Sequence, residues 1–440
     1  MNDLTTFLPS LQKALDEQQF EAVLNALAVD AIARSGDAAD QGNLMGNAAL
    51  DTVCAKAAAA IAMAYPSATP AEPVDKGLTL YIATDLYWGH GGHTPLLMDL
   101  IHVDSSERKE LLLTLIGGGA QTPEFFNKLT QALPENVPVH PLQAATLLEK
   151  VLILRSYIQN RKPHRIILVT HQYDTVVYCA LTADCAPQII NVHHADTFTL
   201  GLHIPWYVLV GLNYFSAQTV AKATGRGMFY WPLAAQDFGV RPWREWLIGE
   251  AIHTCSHGSA RKFEGKNVID YEEIVVERLS LLPGDHYHIG DLSEERLLAI
   301  ARRISDSGLD AKRFVYVGLV ESLWKYLKES PIQLCISSFP VCGPKGIVET
   351  KGCGIPVLVF EDTQNPVRSS SHYCYEDCLR WYALEQLKSV FQSLTPEILR
   401  AQAKMARADY DKRHSMASLG ESAIIPDNFI IPGTHRISPR

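Results

Sequence analysis

The side chains best suited to chemistry lie in three short stretches of the chain. In the first, Ile336-Ser-Ser-Phe-Pro-Val-Cys-Gly-Pro-Lys-Gly-Ile-Val-Glu-Thr-Lys-Gly-Cys-Gly-Ile-Pro-Val-Leu-Val-Phe360, the pattern is strand, loop, short helix, turn, strand. Gly343 and Gly346 let a backbone approach a ligand closely, and Pro344 suits a first helical position because its missing N–H has no helical partner there. A helix start with available N–H groups and a positive dipole end suits phosphate. Lys345 adds charge toward a diphosphate, and Glu349, one turn further on, can accept hydrogen bonds from ribose hydroxyls. The same residues also read, with no ligand, as a helix that begins at Pro344 and ends at Gly352-Cys353-Gly354. The second stretch, Trp88-Gly-His-Gly-Gly-His-Thr-Pro95, carries His90 and His93 between glycines, so little side-chain bulk separates them from a ligand. The third, Asn191-Val-His-His-Ala-Asp-Thr-Phe-Thr-Leu-Gly201, places His194 and Asp196 as a general base and the acid that orients it.

Other ionisable pairs invite plainer readings. His286 and His288 alternate along an expected strand and face one side, where His288 either meets a nucleotide base or packs in the core. Asp409-Tyr-Asp411 has a metal-site spelling but lies among Arg407, Lys412 and Arg413, which reads as a solvated helix face, so no metal is expected. The nine cysteines lack both paired zinc-site spacing and disulfide-framework density, and are expected to be buried thiols.

These residues need a scaffold, and the pattern around them supplies one. Residues 1–70 read as a helical N-terminal unit, with Phe20, Val23, Leu24 and Leu27 at helical spacing. Three prolines between Pro66 and Pro73 mark a boundary. Strands are expected at Leu78–Thr84, Glu110–Ile116, Arg165–Thr170 and Gln188–Val192, and helices at Thr122–Leu133 and Leu142–Gln159. A second series follows, with strands at Ala251–Cys255, His286–Ile289, Phe314–Val317, Leu334–Ser337 and Val357–Phe360. Such alternation implies parallel sheets covered by helices. The fold class is therefore α/β, two facing doubly wound domains at 76–240 and 246–390, followed by a C-terminal helix and tail at 391–440. Helical pattern is expected from Glu376 to Lys412. Open parallel sheets bind ligands beyond the carboxyl ends of their strands, so a cleft between the two sheets is the expected seat of the chemistry.

Composition narrows the function classes. A length of 440 residues, 47% hydrophobic and 20% charged, is that of folded units. A net charge of −9 argues against binding a nucleic acid polymer. No apolar run approaches the roughly 20 residues of a membrane span, and Met1 to Glu17 lacks signal-peptide character, so a cytoplasmic location is expected.

The segment Glu349-Thr-Lys-Gly-Cys-Gly-Ile-Pro-Val357 resembles the Glu-Ala-Met-Ala-Cys-Gly-Val-Pro-Val signature of glycosyltransferases with the two-domain GT-B fold. Ser337-Ser-Phe-Pro340 through Glu349 is similar to a segment of bacterial cytosolic N-glucosyltransferases and O-GlcNAc transferase relatives, where Glu349 occupies the place of a ribose-binding acid. Cys255-Ser-His-Gly-Ser-Ala-Arg-Lys-Phe263 resembles the opening of the donor domain in those enzymes, which makes Lys262 a diphosphate candidate. The loops at His90 and His93 and at His194 likewise resemble loops that follow strands in GT-B enzymes.

The resemblance implies transfer of a hexose-type sugar from a nucleotide sugar, UDP-linked, to a protein, glycan or small molecule, with the nucleotide sugar as co-substrate and no other cofactor. Donor contacts would come from Lys262, His288, Gly343, Pro344, Lys345, Gly346 and Glu349, acceptor or sugar contacts from His90 and His93, and catalysis from His194 and Asp196. Val341 stands where many retaining members carry a glutamate, which favours inversion. Homo-oligomerisation stays open, as do a GT-B sugar-nucleotide epimerase, a polymer phosphotransferase and a non-catalytic nucleotide-sugar-binding protein. A dinucleotide-binding dehydrogenase is disfavoured because Gly117-Gly-Gly119 lacks the required glycine spacing, and no P-loop is present.

Overall fold

The computed structural model describes residues 3–36, 46–66, 73–88, 92–118, 122–194, 198–242, 251–263, 269–363 and 369–425. Two compact units divide the chain. The first comprises Met1–Tyr87, Leu100–Trp231 and Ser422–Arg440, the second Trp88–Asp99 and Pro232–Glu421.

The first unit is built on seven strands: β1 (Asp75–Ala83), β2 (Arg108–Leu113), β3 (Val139–Pro141), β4 (Pro163–Val169), β5 (Gln188–His193), β6 (Tyr207–Gly211) and β7 (Met228–Tyr230). All pair in parallel, in the order β3-β2-β1-β4-β5-β6-β7. Their apolar runs are buried on both faces, as parallel sheets require: β5 and β6 are buried from end to end. Strands β3, β6 and β7 stand beyond those expected from sequence. The order reverses between β1 and β4, which makes the carboxyl ends of those strands the switch point of this sheet.

The three N-terminal helices, Leu4–Asp16, Phe20–Gly36 and Ala48–Ala64, belong to this unit. Glu21 accepts hydrogen bonds from the N–H groups of Leu147 (3.1 Å) and Leu148 (2.6 Å), so one helix caps the start of another, Leu147–Arg161. Thr146 and Glu149 complete that cap reciprocally, satisfying donors left over at the helix start. The buried Asp51 carboxylate accepts from Gly201 N–H (2.7 Å) and His203 N–H (2.8 Å); burial raises its pKa to about 6 against the pull of those two bonds. The N-terminal helices thereby hold the loop that continues from the third sequence stretch.

The second unit carries β8 (His253–His257), β9 (His286–Ile289), β10 (Phe314–Gly318), β11 (Ile332–Ile336), β12 (Val357–Phe360) and β13 (Leu379–Trp381). These too are parallel, ordered β10-β9-β8-β11-β12-β13, with the reversal between β8 and β11. Tyr271, Ile274, Ile300, Leu334, Leu358 and Trp381 form part of its core.

Two expectations need correction here. The stretch from Glu376 is not helical at its start, because Leu379–Trp381 pairs with β12 as an edge strand before the helices Leu384–Ser393 and Pro396–Arg413. Nor is Asp409 on a solvated face. It is 9% exposed and bonds the fully buried Lys351 ammonium at 2.5 Å and Arg413 at 2.5 Å, because a cation without solvent needs a counter-charge. Asp411, by contrast, is exposed and pairs with Arg407. Eight of the nine cysteines are buried, and among the described residues no helix is long and apolar enough to cross a membrane.

Candidate functional site

In the second unit the segments that leave β8 and β11 flank the strand-order reversal, and most of the donor candidates gather there. After β8 the chain passes Gly258, at φ +141°, and makes a single turn at Ala260–Lys262. After β11 it runs through Ser337 and Ser338 to Gly343 and the helix Pro344–Gly352, whose start no side chain caps. Ser338 Oγ donates to the Val341 carbonyl at 2.8 Å and shapes that loop. A Cβ added at Gly343 would stand 3.0 Å from Lys262 Nζ and 3.1 Å from Ser338 Oγ. The lysine ammonium, the serine and the open helix start therefore share one small space, which a larger residue than glycine would crowd. This is the geometry of an anion site: main-chain donors at the positive end of a helix with a cation beside them.

Gly346 is fixed for a different reason. A Cβ there would collide with the ring of buried His257, the last residue of β8, whose Nε2 lies 3.3 Å from Thr350 Oγ1. Glu349 is half-buried on the same helix, and burial raises its pKa while Lys345 and His257 pull it down.

Lys345 and His288 occupy other roles than those expected of them. The Lys345 ammonium forms an ion pair with Asp99 and donates to the Ala234 carbonyl at 2.5 Å, so its charge is already engaged within the unit. His288 is fully buried; its Nδ1 lies 2.9 Å from the Tyr271 hydroxyl, which also stands 3.1 Å from His286 Nε2. Burial depresses the His288 pKa to about 3, so the ring is neutral and acts as core beneath the loops.

The stretch from Trp88 to Asp99 groups with this unit rather than with the strand it follows. His90 lies outside the described residues. His93 opens the helix His93–Val103, and the adjacent Gly92 lies against Lys345, where an added Cβ would be 3.5 Å from the lysine Cβ.

In the first unit, His194 follows β5 and is half-buried. Its Nε2 donates to the Thr170 carbonyl at 2.9 Å, which leaves Nδ1 as the proton-accepting nitrogen of the neutral ring. Burial lowers its pKa, so the ring is neutral at physiological pH. Asp196 lies outside the described residues. Sequence reasoning passed over His257, Ser338 and Asp99 near the helix start, and Asp85, Tyr87, His171 and Tyr173 at the ends of β1 and β4. Except for Asp99, which lies within the helix His93–Val103, their common signal is position at or just after a strand's carboxyl end, which carries meaning only once strand order is known.

No protein-family profile matches this chain, and no curated protein matches it in sequence. Solved structures do match. HepE from Anabaena, in complex with UDP and glucose, is 14% identical over 79% of this chain and 98% of its own, with a TM-score of 0.58. TarM from S. aureus, in complex with fondaparinux, α-GlcNAc-glycerol and UDP, is 9% identical over 79% of this chain and 98% of its own, at 0.59. A mutant O-GlcNAc transferase from Thermobaculum terrenum is 14% identical over 94% of this chain and 78% of its own, at 0.54. The two doubly wound sheets and these likenesses together give the chain the GT-B fold of those glycosyltransferases.

Proposed function

We propose that the protein is a glycosyltransferase that moves a hexose-type sugar from a UDP-linked donor to an acceptor hydroxyl or amide, with inversion. The observation that carries this reading is the space shared by Lys262 Nζ, Ser338 Oγ and the uncapped helix start at Gly343, with Glu349 one turn along. Its neighbours in fold include proteins solved with UDP or UDP-glucose.

The diphosphate sits against the N–H groups that follow Gly343 and against the Lys262 ammonium, while the Glu349 carboxylate accepts from the ribose hydroxyls. Lys345, held by Asp99 and the Ala234 carbonyl, braces the helix start. Pro344 and Gly346 set its backbone, and His288 supports it from the core. His90 and His93 contact the sugar or the acceptor. His194 Nδ1 removes the acceptor proton as the acceptor oxygen or nitrogen attacks the anomeric carbon. The bond from that carbon to the UDP oxygen breaks on the opposite face, and the electron pair leaves with UDP. Charge growing on the leaving diphosphate is stabilised by dipoles and a cation already in place. The Thr170 carbonyl keeps the ring oriented through Nε2–H, and the negative charge of Asp196 favours the imidazolium that forms. No metal enters this scheme.

The test is turnover and binding of UDP-, GDP- and CMP-sugars by the intact protein and two variants. Glu349→Ala is expected to lose donor binding, and His194→Ala to lose about 100-fold or more in turnover with donor affinity kept. Nucleotide-sugar binding with no turnover on any acceptor would instead favour a silent binding protein, and no binding at all would remove the donor assignment.

A further inference from the structure

The ends of β1, β2 and β4 in the first unit hold a polar network that the proposed reaction does not use. Asp174 is buried and accepts hydrogen bonds from Thr84 Oγ1 and Thr114 Oγ1, both at 2.5 Å. Thr84 Oγ1 in turn accepts from His171 N–H at 2.8 Å. The buried Lys150 ammonium donates to the carbonyls of Thr114 (2.7 Å) and Leu115 (2.8 Å), and buried Asp85 accepts from Gly117 N–H at 2.8 Å. Two carboxylates and an ammonium taken out of water are costly to hold, yet here they lock three strand ends and the loops leaving them into one arrangement.

Above this floor stand three rings. Tyr87, 41% exposed, lies parallel to His171 within 3°, with ring centroids 6.4 Å apart. Tyr173 is tilted against His171 at 5.4 Å, and its hydroxyl lies 3.0 Å from His171 Nδ1. A Cβ on Gly117 would come within 3.3 Å of that same hydroxyl, so the glycine keeps the backbone tight against the cluster. A solvent-facing tyrosine ring beside two half-buried rings, on a rigid polar base with a carboxylate, a phenol and an imidazole as hydrogen-bond partners, matches a ligand with one apolar face and a rim of hydroxyls. A pyranose ring is such a ligand: its axial C–H face stacks on an aromatic ring while its hydroxyls reach the polar groups.

We propose that Tyr87, His171 and Tyr173 form a platform for the sugar ring of a saccharide acceptor, so that the acceptor class is a glycan or glycoside rather than a peptide. This rests on the transferase reading given above. It is tested by titrating methyl glycosides of glucose, galactose and N-acetylglucosamine, and separately an acceptor-peptide library, into the UDP-saturated protein and into Tyr87→Ala and Tyr87→Trp, with the UDP affinity of each measured first. One of the glycosides is expected to bind the intact protein. Tyr87→Ala is expected to weaken it about tenfold, the loss of roughly one aromatic contact, and Tyr87→Trp to restore it, with UDP affinity the same in all three. Glycoside binding equal in Tyr87→Ala, or a protein that binds UDP and peptides but no glycoside, would overturn the platform while leaving the donor site standing. Loss of UDP binding in the intact protein would count against the transferase reading, and glycoside binding that depends on Tyr87 would then support the platform by itself.

Discussion

The two sheets end differently. Around the strand ends of the first unit, side chains do the shaping: Asp85, Asp174, Lys150 and two threonines form the floor, and rings stand on it. Around the strand ends of the second, backbone does: Gly258 and Gly290 lie at φ +141° and +136°, a Cβ at Gly346 would collide with His257 and one at Gly343 would crowd Lys262 and Ser338, and the nearby Lys345 charge is turned aside to Asp99. A site that must bring main-chain N–H groups against phosphate needs bare backbone, because each added Cβ blocks the approach. A site that reads hydroxyls and an apolar face needs side chains held still.

Adding one carbon to the second unit is expected to have the largest effect. In Gly290→Ala the new Cβ would collide with the Gly258 carbonyl at a φ that L-residues rarely adopt, and a loss of about 3 kcal/mol or more is expected in denaturant unfolding. Gly118→Ala in the first unit meets open space and only an unfavourable φ of +71°, so about 1 kcal/mol is expected. Equal losses at the two positions would show that the second unit's glycines are not fixed by close approach.

Removing one side chain from the first unit ranks next. Asp51→Ala strips the acceptor from one buried and one half-buried N–H group and should cost about 2 kcal/mol, read as a lower unfolding midpoint, while UDP affinity holds. Lys262→Met should do the reverse, weakening UDP about tenfold in calorimetry with the midpoint unchanged.

The smallest effects come from pH. Burial raises the Glu349 pKa, so UDP affinity, which needs the carboxylate, should weaken on acidification already above the ordinary glutamate value of about 4.3. Burial lowers the His194 pKa, so the base stays deprotonated below the ordinary histidine value of about 6.5, and turnover at saturating donor should hold to a lower pH than an exposed histidine would allow. A turnover limb at or above that value would assign the base elsewhere.

Much of the fold was legible because buried parallel strands are written as apolar runs. Val357–Phe360 and His286–Ile289 have the bounds read from sequence, and seven other strands were located to within a few residues. The strands that escaped were those with weak or merged signals. Val139–Pro141, Met228–Tyr230 and Leu379–Trp381 are three residues long, stand at sheet edges and are mostly half-buried, so little apolar pattern marks them. Tyr207–Gly211 is fully buried but merges with apolar residues on both sides, which hides its limits.

The candidate site divides in the same way. The helix start at Gly343, with Gly346 and Glu349 along the helix, could be read because one short segment contains it whole. The engagement of Lys345 depends on Asp99, 246 residues away, and the burial of Asp409 on Lys351, 58 residues away. Long-range pairings of that kind leave no local mark in the chain. His171 carried no signal either, since its place beside Tyr87 and Tyr173 derives from strand order.

The donor site is tested most directly by calorimetric titration of UDP-glucose and UDP into the intact protein and Glu349→Gln, which keeps the size of the side chain and removes its charge. Saturable binding of both ligands to the intact protein is expected, at least about tenfold weaker in the variant because a charge-assisted bond to ribose is lost. Binding that is equally tight in both proteins, or absent from the intact one, would contradict the donor assignment.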